Sequence, residues 1–359
     1  MKYLHLIGLF FLVLFAGCAS DPQTSTIKIG AIPSLSGAAG EQGKNWLQGV
    51  ELAIDQANQQ PASQPKQFQL IVEDDQTQPA KVVAAMSKLC QVDRVAGVIG
   101  GTWDFLGEAA YPVAEKNHVP FVTPSNPVEV ISDNAKRSGF VFSSGLSLGA
   151  MKAAFDRFID TEKARGQRVQ RIGIVYPDLP FGLQQATMIQ QSIAEKQLNV
   201  AFTYAFPPAS LMSDTVKLAA QKILTEKPDL TYMVLDYNGL DLLTKEFVGL
   251  KIQPKVITTQ HLDQAFLFSK DPARYKNLYA IYPIEPEESF RTAFEAKFHT
   301  PPRVYAYEGY LAARFLIRVA LGWQKLPQDT QQILPDEQTE SRARIMTTDA
   351  GEFRVYEPS

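Results

Sequence analysis

The sequence predicts an α/β protein built as two lobes, each a doubly wound parallel sheet. Three observations carry this. From residue 27 onward, short β-branched runs alternate with longer amphipathic stretches, the pattern of βαβ units. The alternation falls into two sets of similar size, separated by a break near 124–145. The roughly 340 residues that follow the N-terminal leader suffice for about two hydrophobic cores. No short-period repeat is present, which argues against a solenoid.

The first set places strands at 27–32, 68–72, 95–99 and 119–122, with helices around 43–59, 79–93 and 106–117. The second places strands at 171–175, 200–204, 230–234 and 255–258, with helices around 147–164, 182–196, 213–226 and 239–249. One more strand, 278–282, precedes helices near 287–298 and 304–323. These are too few for a third domain, so the chain is expected to return to an earlier lobe and the lobes to be joined by more than one crossing. Residues 27–143 with 281–335 are expected to form the N-terminal lobe, and 144–280 with 336–359 the C-terminal one. The tail is rich in Pro, Gln and Asp over 326–340 and ends in two short strand-like runs about a turn at Asp349-Ala350-Gly351.

The N-terminus reads as a signal peptide over residues 1–17. Lys2 leads into an apolar run of about 12 residues, shorter than the roughly 20 that a bilayer-crossing helix needs, and the run ends in small residues. Phe15-Ala16-Gly17-Cys18 resembles a bacterial lipobox, which implies lipidation of Cys18 and a membrane anchor. Residues 18–26 then form a short polar tether. Ala19 is not the aspartate that retains lipoproteins at the inner membrane of some diderm bacteria, so either membrane of such an envelope fits. Cys90 lies on an apolar helix face and reads as a core thiol.

Composition excludes several classes. The formal charge is −3, and Lys and Arg are dispersed, so no nucleic-acid surface is expected. Gly37 to Lys44 suggests a phosphate loop, but the spacing is one residue too long and Asn45 replaces Ser or Thr. His118, His261 and His299 are isolated, without metal-ligand spacing, and read as surface or capping residues. No enzyme, cofactor or metal site is expected.

The run Ile27-Lys28-Ile29-Gly30-Ala31-Ile32-Pro33-Ser34-Leu35-Ser36-Gly37, then Gly43 and Gly49-Val50-Glu51-Leu52-Ala53-Ile54-Asp55-Gln56-Ala57-Asn58, closely resembles the opening of the leucine/isoleucine/valine-binding family of type I periplasmic binding proteins. Val72-Glu73-Asp74-Asp75-Gln76-Thr77-Gln78-Pro79, Val98-Ile99-Gly100 and Pro120-Phe121-Val122-Thr123-Pro124-Ser125 agree as well. The resemblance implies two lobes around a cleft, three crossovers acting as a hinge, and delivery of a solute to an ABC permease. The carboxyl ends of the strands would converge on the cleft, and closure would give two states.

The same resemblance implies the pocket positions. Asp104 falls where amino-acid-binding members carry a hydroxyl residue against the ligand carboxylate; an ionised Asp there would repel that group. Asp104 is read either as a pocket residue or as the N-cap of a helix starting near Phe105, and Trp103 as lining the cleft or covering the core. Ser125 matches a second carboxylate-contacting loop, though residues 123–127 also read as a turn. Phe181 matches an aromatic that closes over the ligand. Asp236 and Tyr237 end the strand at 230–235, where another aromatic contact is expected. Gln260 falls where an acidic group would pair with a ligand ammonium, which a neutral amide cannot do.

A branched-chain amino acid is therefore a poor fit. A ligand with a cation or several hydrogen-bond donors fits better, and the expected partner is a small polar solute, an amino acid of another kind, an amide, a polyamine or similar, bound by an exported lipoprotein that serves an ABC permease. Two alternatives stay open: an envelope lipoprotein similar to penicillin-binding-protein activators, which binds a protein partner, and a ligand sensor.

Overall fold

The computed structural model describes residues 25–59, 66–125, 139–284, 286–328, 333, 343–348 and 353–356. The expected signal peptide, Cys18, most of the tether and the turn at 349–351 lie outside the described residues. The first sheet contains β1 (Ser25–Ile32), β2 (Lys66–Val72), β3 (Val98–Gly100), β4 (Phe121–Thr123) and β5 (Val141–Ser143), in the parallel order β2-β1-β3-β4-β5. β1 starts at Ser25, inside the expected tether. β5 lies in the stretch read as a break, where three apolar-to-hydroxyl residues carry too little periodicity to stand out.

The second sheet contains β6 (Arg171–Pro177), β7 (Asn199–Phe206), β8 (Leu230–Met233), β9 (Val256–Thr258), β10 (Leu278–Ile284), β11 (Ala343–Thr347) and β12 (Arg354–Val355). Its order is β12-β11-β10-β9-β8-β6-β7, parallel through β10, with β11 and β12 added antiparallel at one edge. All of β10 belongs to this sheet. The expected boundary at 280/281 falls inside a strand, and the crossing to the first lobe comes after Ile284.

Helices cover the sheets because their apolar residues recur at three- and four-residue spacing. In α1 (Gly40–Asn58) the buried face includes Gly43, Trp46, Leu47, Gly49, Val50, Ala53 and Ile54. It packs on α10 (Ala306–Ala320), while α9 (Glu288–Phe298) lies beside them, so the returning segment docks on the first lobe. The α1–α10 approach is close enough to require glycine. A Cβ on Gly49 would lie 1.8 Å from the Ala306 carbonyl oxygen, and one on Gly309 2.2 Å from that of Trp46.

The remaining helices are α2 (Pro79–Lys88), α3 (Asp104–Asn117), α4 (Leu148–Ala164), α5 (Pro180–Glu195), α6 (Met212–Glu226), α7 (Tyr237–Leu250) and α8 (His261–Leu267). The helix expected over 79–93 changes at Leu89 into a π-helical turn that ends at left-handed Arg94. Cys90, on that turn, is half-buried and packs at the edge of the first lobe's core, and burial pushes its thiol up to about 11. His118 and His299 are left-handed C-caps of α3 and α9.

The Ser34–Gly37 and Asp74–Thr77 stretches that carry the resemblance interlock. The Asp74 carboxylate accepts from the Leu35 amide (2.8 Å), the Gln76 amide (2.8 Å) and the Ser36 hydroxyl (2.7 Å). Burial works against its ionisation, but these donors together hold it below the usual carboxylate range. Asp75 accepts from Ser34 Oγ at 2.6 Å. The knot fixes the start of α1, and Thr102 joins it: its hydroxyl oxygen accepts from the Ser34 amide (3.2 Å) and from Trp46 Nε1 (3.1 Å). The motif thus supports the cleft floor from beneath and does not itself line it.

Candidate ligand-binding cleft

Between the two sheets lies a cavity of about 270 Å³. Its walls come from the carboxyl ends of strands in both lobes, as the crevice rule for doubly wound sheets requires. The first lobe supplies Thr102, Trp103, Asp104 and Phe105 after β3, and Ser125 after β4. The second supplies Pro177, Leu179 and Phe181 after β6, Phe206 at the end of β7, Val234, Leu235 and Asp236 after β8, and Thr259, Gln260 and His261 after β9. Leu146 and Met151, beside the first crossing, Gln185, Met212, and Tyr305, just before α10, complete it.

Six of the seven expected positions, Trp103, Asp104, Ser125, Phe181, Asp236 and Gln260, therefore face one cavity. Tyr237 does not. It is the first residue of α7, one position past the wall residue Asp236, and the helical turn carries its ring away to Phe268 at 6.5 Å.

The polar groups differ in how far they are committed. Trp103 occupies the N-cap position of α3 and Asp104 the first helical position, so Asp104 is not the cap. No hydrogen bond reaches the Asp104 carboxyl. Burial, reinforced by Glu108 one turn along, pushes it up to about 7. Trp103 lies on the wall, and its indole N–H donates to Gln42 Oε1 at 2.6 Å. The Ser125 hydroxyl donates to the Gly101 carbonyl, and the Gln260 amide donates to the Tyr305 hydroxyl. The Thr259 hydroxyl is 3% exposed and has no hydrogen-bond partner. Gln185 accepts from the Tyr232 hydroxyl at 2.7 Å.

Asp236 caps α7: its Oδ1 accepts from the Gly239 amide at 2.7 Å. Removing a carboxylate cap costs about 1 kcal/mol. Asp236→Ala is accordingly expected to lower the thermal midpoint by a few degrees, which a melting curve would show; an unchanged midpoint would mean that water replaces the cap at no cost.

His261 was expected at the surface or as a cap and is instead part of the wall. Burial lowers its pKa, partly opposed by Asp236 nearby, so it is neutral near pH 7. Gln42, on α1, lies 2.8 Å from His261 Nδ1 and donates to Gln264 Oε1 at 3.3 Å, a contact between the lobes. Arg303 to Asp263, at 2.8 Å, makes a second such contact. Thr259 and His261 flank Gln260 and share its strand-end position, a signal that could have found them. Gln42 and Tyr305 carry none, since only tertiary approach brings them to the cleft.

Among the described residues there is no cluster of side chains able to hold a metal ion, and no helix long and apolar enough to cross a membrane.

Comparison with known proteins agrees with this architecture. A family model described as "Periplasmic binding protein" matches residues 26–332. The Leu/Ile/Val-binding protein homolog 7 of Brucella abortus (strain 2308) is 23% identical over 227 residues, 61% of this chain and 56% of the relative. The match thus spans little more than half the length of that curated relative. Among solved structures, the branched-chain amino acid transporter substrate-binding protein LivJ from Streptococcus pneumoniae, in complex with isoleucine, aligns with a TM-score of 0.71 at 19% identity, covering 93% of this chain and 100% of its own. A solute-binding protein of an ABC transporter from Rhodopseudomonas palustris BisB5, in complex with 3,4-dihydroxybenzoic acid, aligns with a TM-score of 0.71 at 18% identity, covering 93% and 98%. Both share this fold.

Proposed function

Because the chain belongs to the periplasmic binding protein family, whose members bind solutes and are not enzymes, we propose that it is an extracytoplasmic solute-binding lipoprotein. It captures a small molecule between its lobes and presents it to an ABC-type permease, held at a membrane surface through Cys18. The observation that carries the reading is the cavity itself: both lobes wall it from their strand ends, and it holds a carboxyl and a hydroxyl with no protein partner. A pocket with an apolar wall and a few placed polar groups is the usual form of a small-molecule site. Most of this wall is apolar, which adds an apolar body to the small polar ligand expected from the sequence.

A thermal-shift screen of the protein against amino acids, amines, aromatic acids, nucleosides and short peptides tests this. A ligand at about 100 times its dissociation constant stabilises the native state by about 2.7 kcal/mol. Phe181, which packs from the first turn of α5 into the cavity, is expected to contribute about 2 kcal/mol of contact, so Phe181→Ala weakens that ligand about 30-fold. No shift with any compound would instead support the protein-partner reading.

A further inference from the structure

Every ionisable side chain that the described residues place on the cleft wall is acidic or neutral. Asp104 and Asp236 are the acids, His261 is held neutral by burial, and Tyr305 keeps its proton. Among the described residues no Lys or Arg stands on that wall. A carboxylate entering the cavity would lose its water without gaining a countercharge, and it would meet Asp104. A cation meets the opposite field. The Asp104 carboxyl has no hydrogen bond to give up. The buried Thr259 hydroxyl, from the other lobe, offers an unused acceptor. Trp103, Phe105, Phe181 and Phe206 add aromatic faces that favour both an apolar body and a positive charge.

We propose that the solute captured at this cleft is a hydrophobic amine, or a related organic cation, that carries no carboxylate. Its positive head pairs with Asp104 and its body lies against the aromatic and aliphatic wall. The inference rests on the solute-binding reading and specifies its ligand. It also separates this cleft from one built for a zwitterionic amino acid, which would require a donor set for the carboxylate; here the Ser125 hydroxyl proton is already given to Gly101.

A pH dependence follows. In the empty cleft Asp104 is half-protonated near pH 7; the groups around it are Glu108 on its own helix, Tyr305 at the start of α10, and Asp236 and His261 in the second lobe. A bound cation draws the carboxyl's pKa down, so protons compete with the ligand. Affinity is full above the empty-site pKa and falls by up to about tenfold per pH unit below it. Protonation of His261 would weaken binding in the same direction, and Asp104→Asn separates the two contributions.

Isothermal titration of the protein with phenethylamine, isoamylamine, phenylalanine, leucine and hydrocinnamate, at about pH 8 and about pH 6, tests the proposal. The expected result is binding of an amine at the higher pH, at least severalfold weaker at the lower, and about 30-fold weaker in Asp104→Asn. Tighter binding of hydrocinnamate or an amino acid than of its amine, or unchanged amine affinity in Asp104→Asn, would overturn the cation assignment and leave solute capture standing. So would a thermal shift with other solutes but with no amine. Binding of nothing in either experiment would overturn both. Should Asp104→Asn fail to fold, the pH series on the native chain decides.

Discussion

Gly49→Ala is expected to destabilise the protein by about 2–3 kcal/mol, although alanine is the better helix former by about 1 kcal/mol. The new methyl would sit 1.8 Å from the Ala306 carbonyl oxygen and 2.9 Å from both the Ala306 carbonyl carbon and the Tyr310 nitrogen. All three atoms are backbone, so no side chain can swing aside. The helices must separate, and the interface that docks the returning segment on the first lobe loosens along its length. The shift per kcal/mol shrinks as a chain lengthens and is roughly 2–4 °C for smaller chains, so the thermal midpoint of this one falls by about 3–5 °C. Gly49→Val should be worse. A midpoint at or above that of the native chain would show that α1 and α10 can slide past one another.

Lys255→Met should cost more, about 3–5 kcal/mol, the usual penalty for removing one partner of a buried ion pair. Glu162, on α4, is 2% exposed, and its carboxylate pairs with Lys255, just before β9, and with the hydroxyl of Tyr356, just after β12. Arg165 stacks over the Tyr356 ring at 4.5 Å. Three distant segments therefore meet at one buried acid. The measurement is a double-mutant cycle by denaturant unfolding: Lys255→Met alone is strongly destabilising, whereas Lys255→Met with Glu162→Leu recovers much of the loss because no charge is left buried alone. Equal stability of the single variant and the native chain would mean that solvent reaches Glu162.

The alternation of apolar runs and amphipathic stretches was sufficient to read the order of most strands and helices, because both lobes are built from repeated βαβ units. It failed at the seven-residue α8 and at β5, which has three residues like β3, β4 and β9 but runs straight into a Ser- and Gly-rich stretch that hides its apolar start. The edge was legible only as two strand-like runs, and nothing local sets β11 and β12 antiparallel to a sheet that is otherwise parallel. The cleft was readable to the extent that it is made of strand ends: Asp104, Ser125, Phe181, Asp236 and Gln260 each follow a strand. Tyr237 was misplaced by one residue, because past Asp236 the chain is already helical and successive side chains turn by about 100°. Gln42 and Tyr305 reach the cleft from α1 and α10, hundreds of residues apart, and no linear pattern records that approach. His261 was read as peripheral for want of a partner in sequence, while its partners, Gln42 and Asp236, come from three-dimensional neighbours.

The three tryptophans sit in three different solvents. Trp46 is fully enclosed, Trp323 is 65% exposed, and Trp103 forms part of the wall between the lobes. Parting the lobes floods the space beside Trp103 and leaves the surroundings of the other two alone. Occupation of that space by an apolar ligand dries it. The molecule thereby carries an intrinsic optical gauge of its own aperture: in a Trp323→Phe background only Trp103 and the enclosed Trp46 emit, and the change in emission, which comes from Trp103, reports whether the cleft is wet or filled without any attached dye.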